Sequence, residues 1–184
     1  MGLRGLLMNL VTESDRLVYR KINKNDFINL KPILNNIEVM YAWEHAFTDE
    51  EIYEWINKNI VRYENEGFSY FAVLEKSTNQ FIGAAGPLTE DINGIKYIGI
   101  AYIIDKKYWG KGYGSESAKT SMDYVFKNLN SETVIATIRP NNWPSRRIAE
   151  KLNMKVQFEY IKSYNNIDMP HLVYCRKRIN KNLW

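Results

Sequence analysis

The sequence predicts an α+β fold: one mainly antiparallel sheet with flanking helices and a central strand–helix–strand crossover. Three observations carry this expectation. Short β-branched and aromatic runs alternate with capped amphipathic segments without a strict βαβ order. The Asn93-Gly94 pair between two such runs signals a hairpin, because a type I′ turn needs positive φ at both central residues. A glycine-rich loop from Gly110 to Gly114 joins a strand-like run directly to a helix start.

The elements follow in order. Residues 1–11 read as a loose N-terminal extension, too short for a signal-peptide core and lacking a small-residue cleavage site. A single domain is expected over 12–184. Residues 16–20 form a short strand, and 25–36 a helix with Phe27, Leu30 and Ile33 at helical spacing. Thr48-Asp49-Glu50-Glu51 is a capping box. The helix it opens carries Ile52, Trp55, Ile56 and Ile60 on one face and stops near Gly67. Strands are expected at 68–74, 81–88 and 95–104. A helix then runs from Gly114 to about Leu129, with Ala118, Met122, Val125, Phe126 and Leu129 as its apolar stripe. Residues 133–138 read as a buried strand and 144–152 as a short helix. A hairpin across Asn165-Asn166 joins strands at 154–164 and 171–178.

Composition narrows the function classes. A chain of 184 residues buries roughly 70% of its unfolded surface. Apolar residues at 45% and charged residues at 25% exclude disorder and collagen-like repeats. No apolar run approaches the ~20 residues of a membrane span. Cys175 is the lone cysteine, and His45 and His171 lie far apart, so neither a disulfide nor a metal motif is expected. A reduced, cytoplasmic domain is the default. The net charge of +4 is concentrated at 161–184, where Lys162, Arg176, Lys177, Arg178 and Lys181 face only Asp168. Such a segment is either a charge-guarded edge strand or a nucleic-acid contact; the first is preferred, and nucleic acid is not the expected partner.

The glycine loop is the informative stretch. It reads Trp109-Gly110-Lys111-Gly112-Tyr113-Gly114-Ser115-Glu116 between a strand and a helix. Free N–H groups at a helix start, with the macrodipole behind them, favour phosphate. Glycine lets the backbone approach the anion and supplies positive φ. A P-loop is excluded because glycine follows Lys111, and neither glycine register completes GxGxxG. A plain tight turn before a helix is the structural alternative.

Trp109 to Gly114 resembles the acyl-CoA pyrophosphate loop (Q/R-x-x-G-x-G/A) of the GNAT N-acetyltransferases. Trp109 and the segment Asn142-Trp143-Pro144-Ser145 through Glu150-Lys151-Leu152-Asn153-Met154 are similar to the branch of RimJ/RimL ribosomal-protein N-terminal acetyltransferases. Thr12-Glu13, Arg16-Leu17 and Arg20 resemble that branch's opening, and Trp43-Glu44-His45 with Phe47-Thr48 its early helical region. The likeness covers roughly 12–178. It implies a GNAT-type fold whose strand 97–104 splays from strand 133–139, and acetyl transfer from acetyl-CoA to an amine. The acceptor is a protein N-terminal α-amine, a ribosomal protein among the candidates, or a small-molecule amine. No metal or membrane is implied; a homodimer is compatible with the branch.

By the same resemblance, Lys111, Gly112, Tyr113, Gly114 and Ser115 contact the pyrophosphate. An N–H near Ile103 faces the thioester oxygen. Asn142 either bonds the pantetheine arm or simply caps the helix holding Pro144, and Ser145 is a cofactor contact or a first-turn acceptor. Arg146 or Arg147 reaches the adenosine phosphates or is solvated. Tyr164 is the candidate acid for the leaving thiolate, with Glu44 or His45 on the acceptor side. Two positions depart from the pattern. Asn153 replaces a glycine at a left-handed helix cap, where Asn is the next best residue. Gly99 stands where many relatives carry a glutamate that serves as base. Two other classes stay open: a silent acyl-CoA-binding module, and a ribosome- or RNA-associated factor using the basic C-terminus.

Overall fold

Alternating side chains along each strand give the sheet two apolar faces, and amphipathic helices cover them. The computed structural model describes residues 10–164 and 167–179. The elements are β1 (Leu10–Glu13), β2 (Leu17–Lys21), α1 (Phe27–Leu34), α2 (Asp49–Asn65), β3 (Phe71–Glu75), β4 (Phe81–Ile92), β5 (Ile95–Ile104), α3 (Tyr113–Lys127), β6 (Thr133–Ile138), α4 (Trp143–Lys151), β7 (Lys155–Tyr164) and β8 (Ile167–Lys177). Strand order is β1-β2-β3-β4-β5-β6-β8-β7, antiparallel throughout except for the parallel β5–β6 pair made by the α3 crossover. The expected α+β architecture is the observed one.

Two main cores result. Leu30, Ile33, Ile52 and Ile56 of α1 and α2 pack with Leu17, Ile82 and Ala84 of the sheet. Ala118, Met122 and Val125 of α3 and Ala149 of α4 pack with Ile100, Val134, Ala136, Leu172 and Tyr174. The local signals behave as their chemistry requires. Thr48 Oγ1 accepts from the Glu51 amide at 3.3 Å while the Glu51 carboxylate accepts from the Thr48 amide at 2.8 Å. Asn93 and Gly94 take φ of 54° and 81° between β4 and β5, and Asn153 is left-handed at 55°.

Element limits shift where side chains intercept the backbone. β3 begins at Phe71, not 68, because Ser69 Oγ bonds Asn59 of α2 at 2.6 Å and the Tyr63 hydroxyl takes the Tyr70 carbonyl. β4 continues to Ile92, through the whole β5 hairpin, and β8 starts already at Ile167. β1 starts at Leu10, ahead of the domain start expected at residue 12, and pairs with β2. Among the described residues no helix is long and apolar enough to cross a membrane, and no cluster of His, Cys, Asp and Glu could hold a metal.

Candidate active site

The loop after β5 is fixed from three sides. Asp105 accepts from the Lys107 amide at 3.1 Å and starts a turn of 3-10 helix, after which the Trp109 indole donates back to the Ile104 carbonyl at 2.8 Å. Gly110 and Gly112 then take left-handed φ of 74° and 83°, so a side chain at either would be strained. Gly112 is the N-cap residue of α3 and has no side chain to cap it. The amides of Tyr113, Gly114 and Ser115 therefore lack partners among the described residues and stand free at the helix start. The Tyr113 ring is buried edge-on to Tyr108, its hydroxyl held by Glu75, so Tyr113 offers the site its backbone. Lys111 turns its ammonium over the Tyr108 ring, 5.3 Å from the centroid, and does not line the cleft.

β5 and β6 meet at one pair only, Gly99 opposite Ile135. Beyond it the strands part, opening a cleft of about 1330 Å³ that runs from the glycine loop to the far side of the sheet. A Cβ at Gly83 would collide with the Ile103 carbonyl, and the Asp105 amide donates to Ile82, so Ile103 directs its peptide groups at β4. Peptide groups alternate in a strand. The cleft-facing amide of this stretch is thus that of Tyr102, a correction to the expectation for Ile103, whose side chain still lines the cleft. The Tyr102 hydroxyl is buried without a hydrogen bond among the described residues. Burial pushes its pKa up to about 12, against the nearby Ser145 hydroxyl.

Asn142 caps α4, accepting from the Ser145 amide at 3.2 Å and from the Tyr41 hydroxyl at 2.6 Å; both Asn142 and Ser145 line the cleft. The cap reading of Asn142 is therefore realised, and its amide nitrogen has no partner among the described residues. Arg146 turns inward to the Pro140 carbonyl and the Tyr174 hydroxyl, while Arg147 lines the cleft.

At the far end, register places Leu88 and Glu90 of β4 on the same sheet face as Gly99, Ile135, His171 and Lys162. Glu90 Oε2 lies 3.4 Å from Lys162 Nζ. His171 Nδ1 donates to the Met169 carbonyl at 2.9 Å, leaving Nε2 as an acceptor; burial holds the imidazole pKa below its usual value. Glu44, with left-handed φ of 55°, gives its carboxylate to Arg139 at 2.7 Å, and His45 is paired with Glu51 at 2.8 Å. Tyr164 closes β7, and its side chain lies outside the described residues. Glu90 of β4, Tyr102 of β5 and His171 of β8 also line the cleft, though sequence reasoning gave none of them a role; strand alternation was their only local signal, and register across distant strands brings them together.

A split parallel strand pair leads to unpaired amides at a glycine-started helix, the arrangement that the resemblance to the GNAT acetyltransferases implied. The acetyltransferase (GNAT) domain family matches residues 16–155. The uncharacterised protein YkkB of Bacillus subtilis (strain 168) is 30% identical over 94% of this chain and 100% of its own length. A GNAT-family acetyltransferase from Bacillus anthracis superposes with a TM-score of 0.75 at 28% identity, covering 92% of this chain and 98% of the other. The fold is also that of RimL, a ribosomal L7/L12 α-N-protein acetyltransferase solved with coenzyme A (TM-score 0.73, 18% identity, 91% and 97% covered). The chain belongs to the GNAT family and is an N-acetyltransferase.

Proposed function

We propose that this enzyme moves an acetyl group from acetyl-CoA to a primary amine by direct attack on the thioester. The observation that carries it is the seam unzipped beyond Gly99–Ile135 and ending at the amides of residues 113–115. Those amides and the loop glycines would hold the pyrophosphate, and Asn142, Ser145 and Tyr102 would line the pantetheine. The bound group supplies an activated acetyl thioester. The Tyr102 amide faces the space where the carbonyl oxygen gains charge, and a fixed donor there lowers the barrier.

The acceptor class that fits is an α-amine of a peptide or a comparably weak small-molecule amine. A peptide α-amine has a pKa near ~8, against ~10.4 for a lysine-type amine, so about a tenth is already neutral at pH 7. Positioning then supplies much of the acceleration. The basic C-terminus supports an RNA contact poorly: Arg176 donates to the Leu152 carbonyl and Arg178 to Asn130 at 2.6 Å, while Lys181 lies outside the described residues.

Calorimetric titration with acetyl-CoA tests the reading, alongside Gly112→Glu, which puts a side chain on a left-handed residue and a carboxylate in the nest. Micromolar binding lost in the variant is the expected result. Absence of binding by the wild type would sink the proposal, and binding without transfer to any amine would reduce the chain to an acyl-CoA carrier.

A further inference from the structure

We infer that Glu90 is the carboxylate that receives the acceptor amine, reaching from β4 into the space left by Gly99. This rests on the transfer reading above. A Cβ built at Gly99 would lie 3.0 Å from Glu90 Cγ and 3.5 Å from Ile135 Cγ1, so the missing side chain and the Glu90 stem claim one volume. Gly99 itself has no left-handed φ, so the backbone does not demand glycine there; a side chain at this position would instead have to push the Glu90 stem aside. The position is also where the sheet divides, since Gly99 makes the one β5–β6 pair. An acceptor meeting the acetyl group from the far side of the sheet must pass this point.

The surroundings fit an ammonium. Glu90 keeps about a fifth of its side chain exposed (18%) and lines the cleft with Lys162 and His171. Lys162 Nζ already stands 3.4 Å from its carboxylate on a partly exposed, flexible stem. A charged amine therefore occupies the spot in the free protein, and an incoming one displaces or joins it. Glu44, by contrast, is committed to Arg139 at 2.7 Å and lies outside the cleft lining.

In the step, the ammonium bonded to Glu90 first gives one proton to the carboxylate, directly or through one water, and Glu90 passes it to solvent. The neutral nitrogen then forms the N–C bond to the acetyl carbonyl carbon and gives a second proton to the carboxylate. The C–S bond breaks, its electron pair leaves on sulfur, and the thiolate takes up a solvent proton. Glu90 then returns its second proton to solvent, so the balance is acetyl for hydrogen on nitrogen, plus the one proton released from the ammonium.

The test combines acetyl-CoA calorimetry with thiol release, using as probes a set of hexapeptides with free α-amines, spermidine and tyramine. For the best probe, Glu90→Gln should lower kcat/KM at least about 100-fold while acetyl-CoA Kd stays within about twofold. Lys162→Met, which breaks the same ion pair but keeps the carboxylate, should lose less than about tenfold. The double variant Glu90→Ala with Gly99→Glu clears the crowding Cγ and returns a carboxylate from β5, and should recover at least about tenfold over Glu90→Ala alone. Transfer by Glu90→Gln within threefold of wild type, or equal losses in Glu90→Gln and Lys162→Met, overturns the role of Glu90 and leaves the transferase intact. Acetyl-CoA binding with no thiol release from any probe by the wild type overturns the transfer reading, and this assignment with it.

Discussion

Arg16 and Glu116, one on the lead-in to β2 and the other in the first turn of α3, are joined along one edge of the guanidinium and through the Arg16 amide. Nε and Nη2 each lie 2.7 Å from Glu116 Oε2, and the Arg16 amide donates to Oε1 at 2.9 Å. The same guanidinium donates to the Lys111 carbonyl at 3.0 Å and stacks 4.4 Å from the Tyr113 ring centroid. A residue near the chain start thus holds the glycine loop in shape, and it neutralises a carboxylate that would otherwise repel a phosphate at the same helix end.

Arg16→Ala should therefore weaken acetyl-CoA binding by about tenfold or more, with a Tm change of only a few degrees. Glu116→Gln in the Arg16→Ala background should restore part of the affinity by removing the uncompensated charge. Titration of the three proteins by calorimetry separates the two effects; no recovery in the double variant would place the whole loss in loop geometry.

Acidification should release this tie. Burial raises the Glu116 carboxyl pKa, but bonds from the Ser14 hydroxyl and from the Arg16 amide and guanidinium outweigh it, and the net shift is downward. A folded-state pKa below the unfolded one contributes stability that is present above the unfolded value, about 4.3, and lost as pH falls through the folded value. Between pH 6 and pH 3 the Tm of the wild type should drop further than that of Glu116→Gln. Parallel curves would show that Glu116 does not carry the linkage.

Tyr102 offers a test with opposite signs. Its buried hydroxyl has no hydrogen-bond partner among the described residues, and an unsatisfied buried polar group costs about 1–3 kcal/mol. Tyr102→Phe should raise the stability of the free enzyme by about 1 kcal/mol while weakening acetyl-CoA binding several-fold. Loss of stability in denaturant titration would mean that water already satisfies the hydroxyl.

Thr48→Ala removes one half of the capping box that starts α2. The expected loss is about 1 kcal/mol, read from urea unfolding, with kcat and acetyl-CoA affinity nearly unchanged because α2 keeps its buried Ile52 and Ile56.

Much of this was legible in the sequence where one local rule decided the outcome. The Thr48 box, the Asn93-Gly94 turn, the left-handed Asn153 and the glycine loop each follow from a residue's own conformational preference. The remainder depended on register across distant strands. Nothing local marks Glu90, because its importance comes from lying beside a glycine nine residues later on the next strand. Arg16 could be read as part of a family opening, but its bond to Glu116 needs the fold to close. Asn142 carried two alternative meanings, and the geometry of α4 showed that the cap is made with the oxygen, leaving the nitrogen without a partner among the described residues.

The single bridge between β5 and β6 has a topological consequence. An ordinary open sheet has two edges; this one has four, two of them internal and facing each other across the cleft. Outer edges invite other strands, which proteins resist with charge and short length. The inner pair instead faces a cleft lined by Trp55 and Asn59 of α2 and by Trp109 of the glycine loop. The calibre of that cleft is set by how far two neighbouring strands diverge after one shared residue pair.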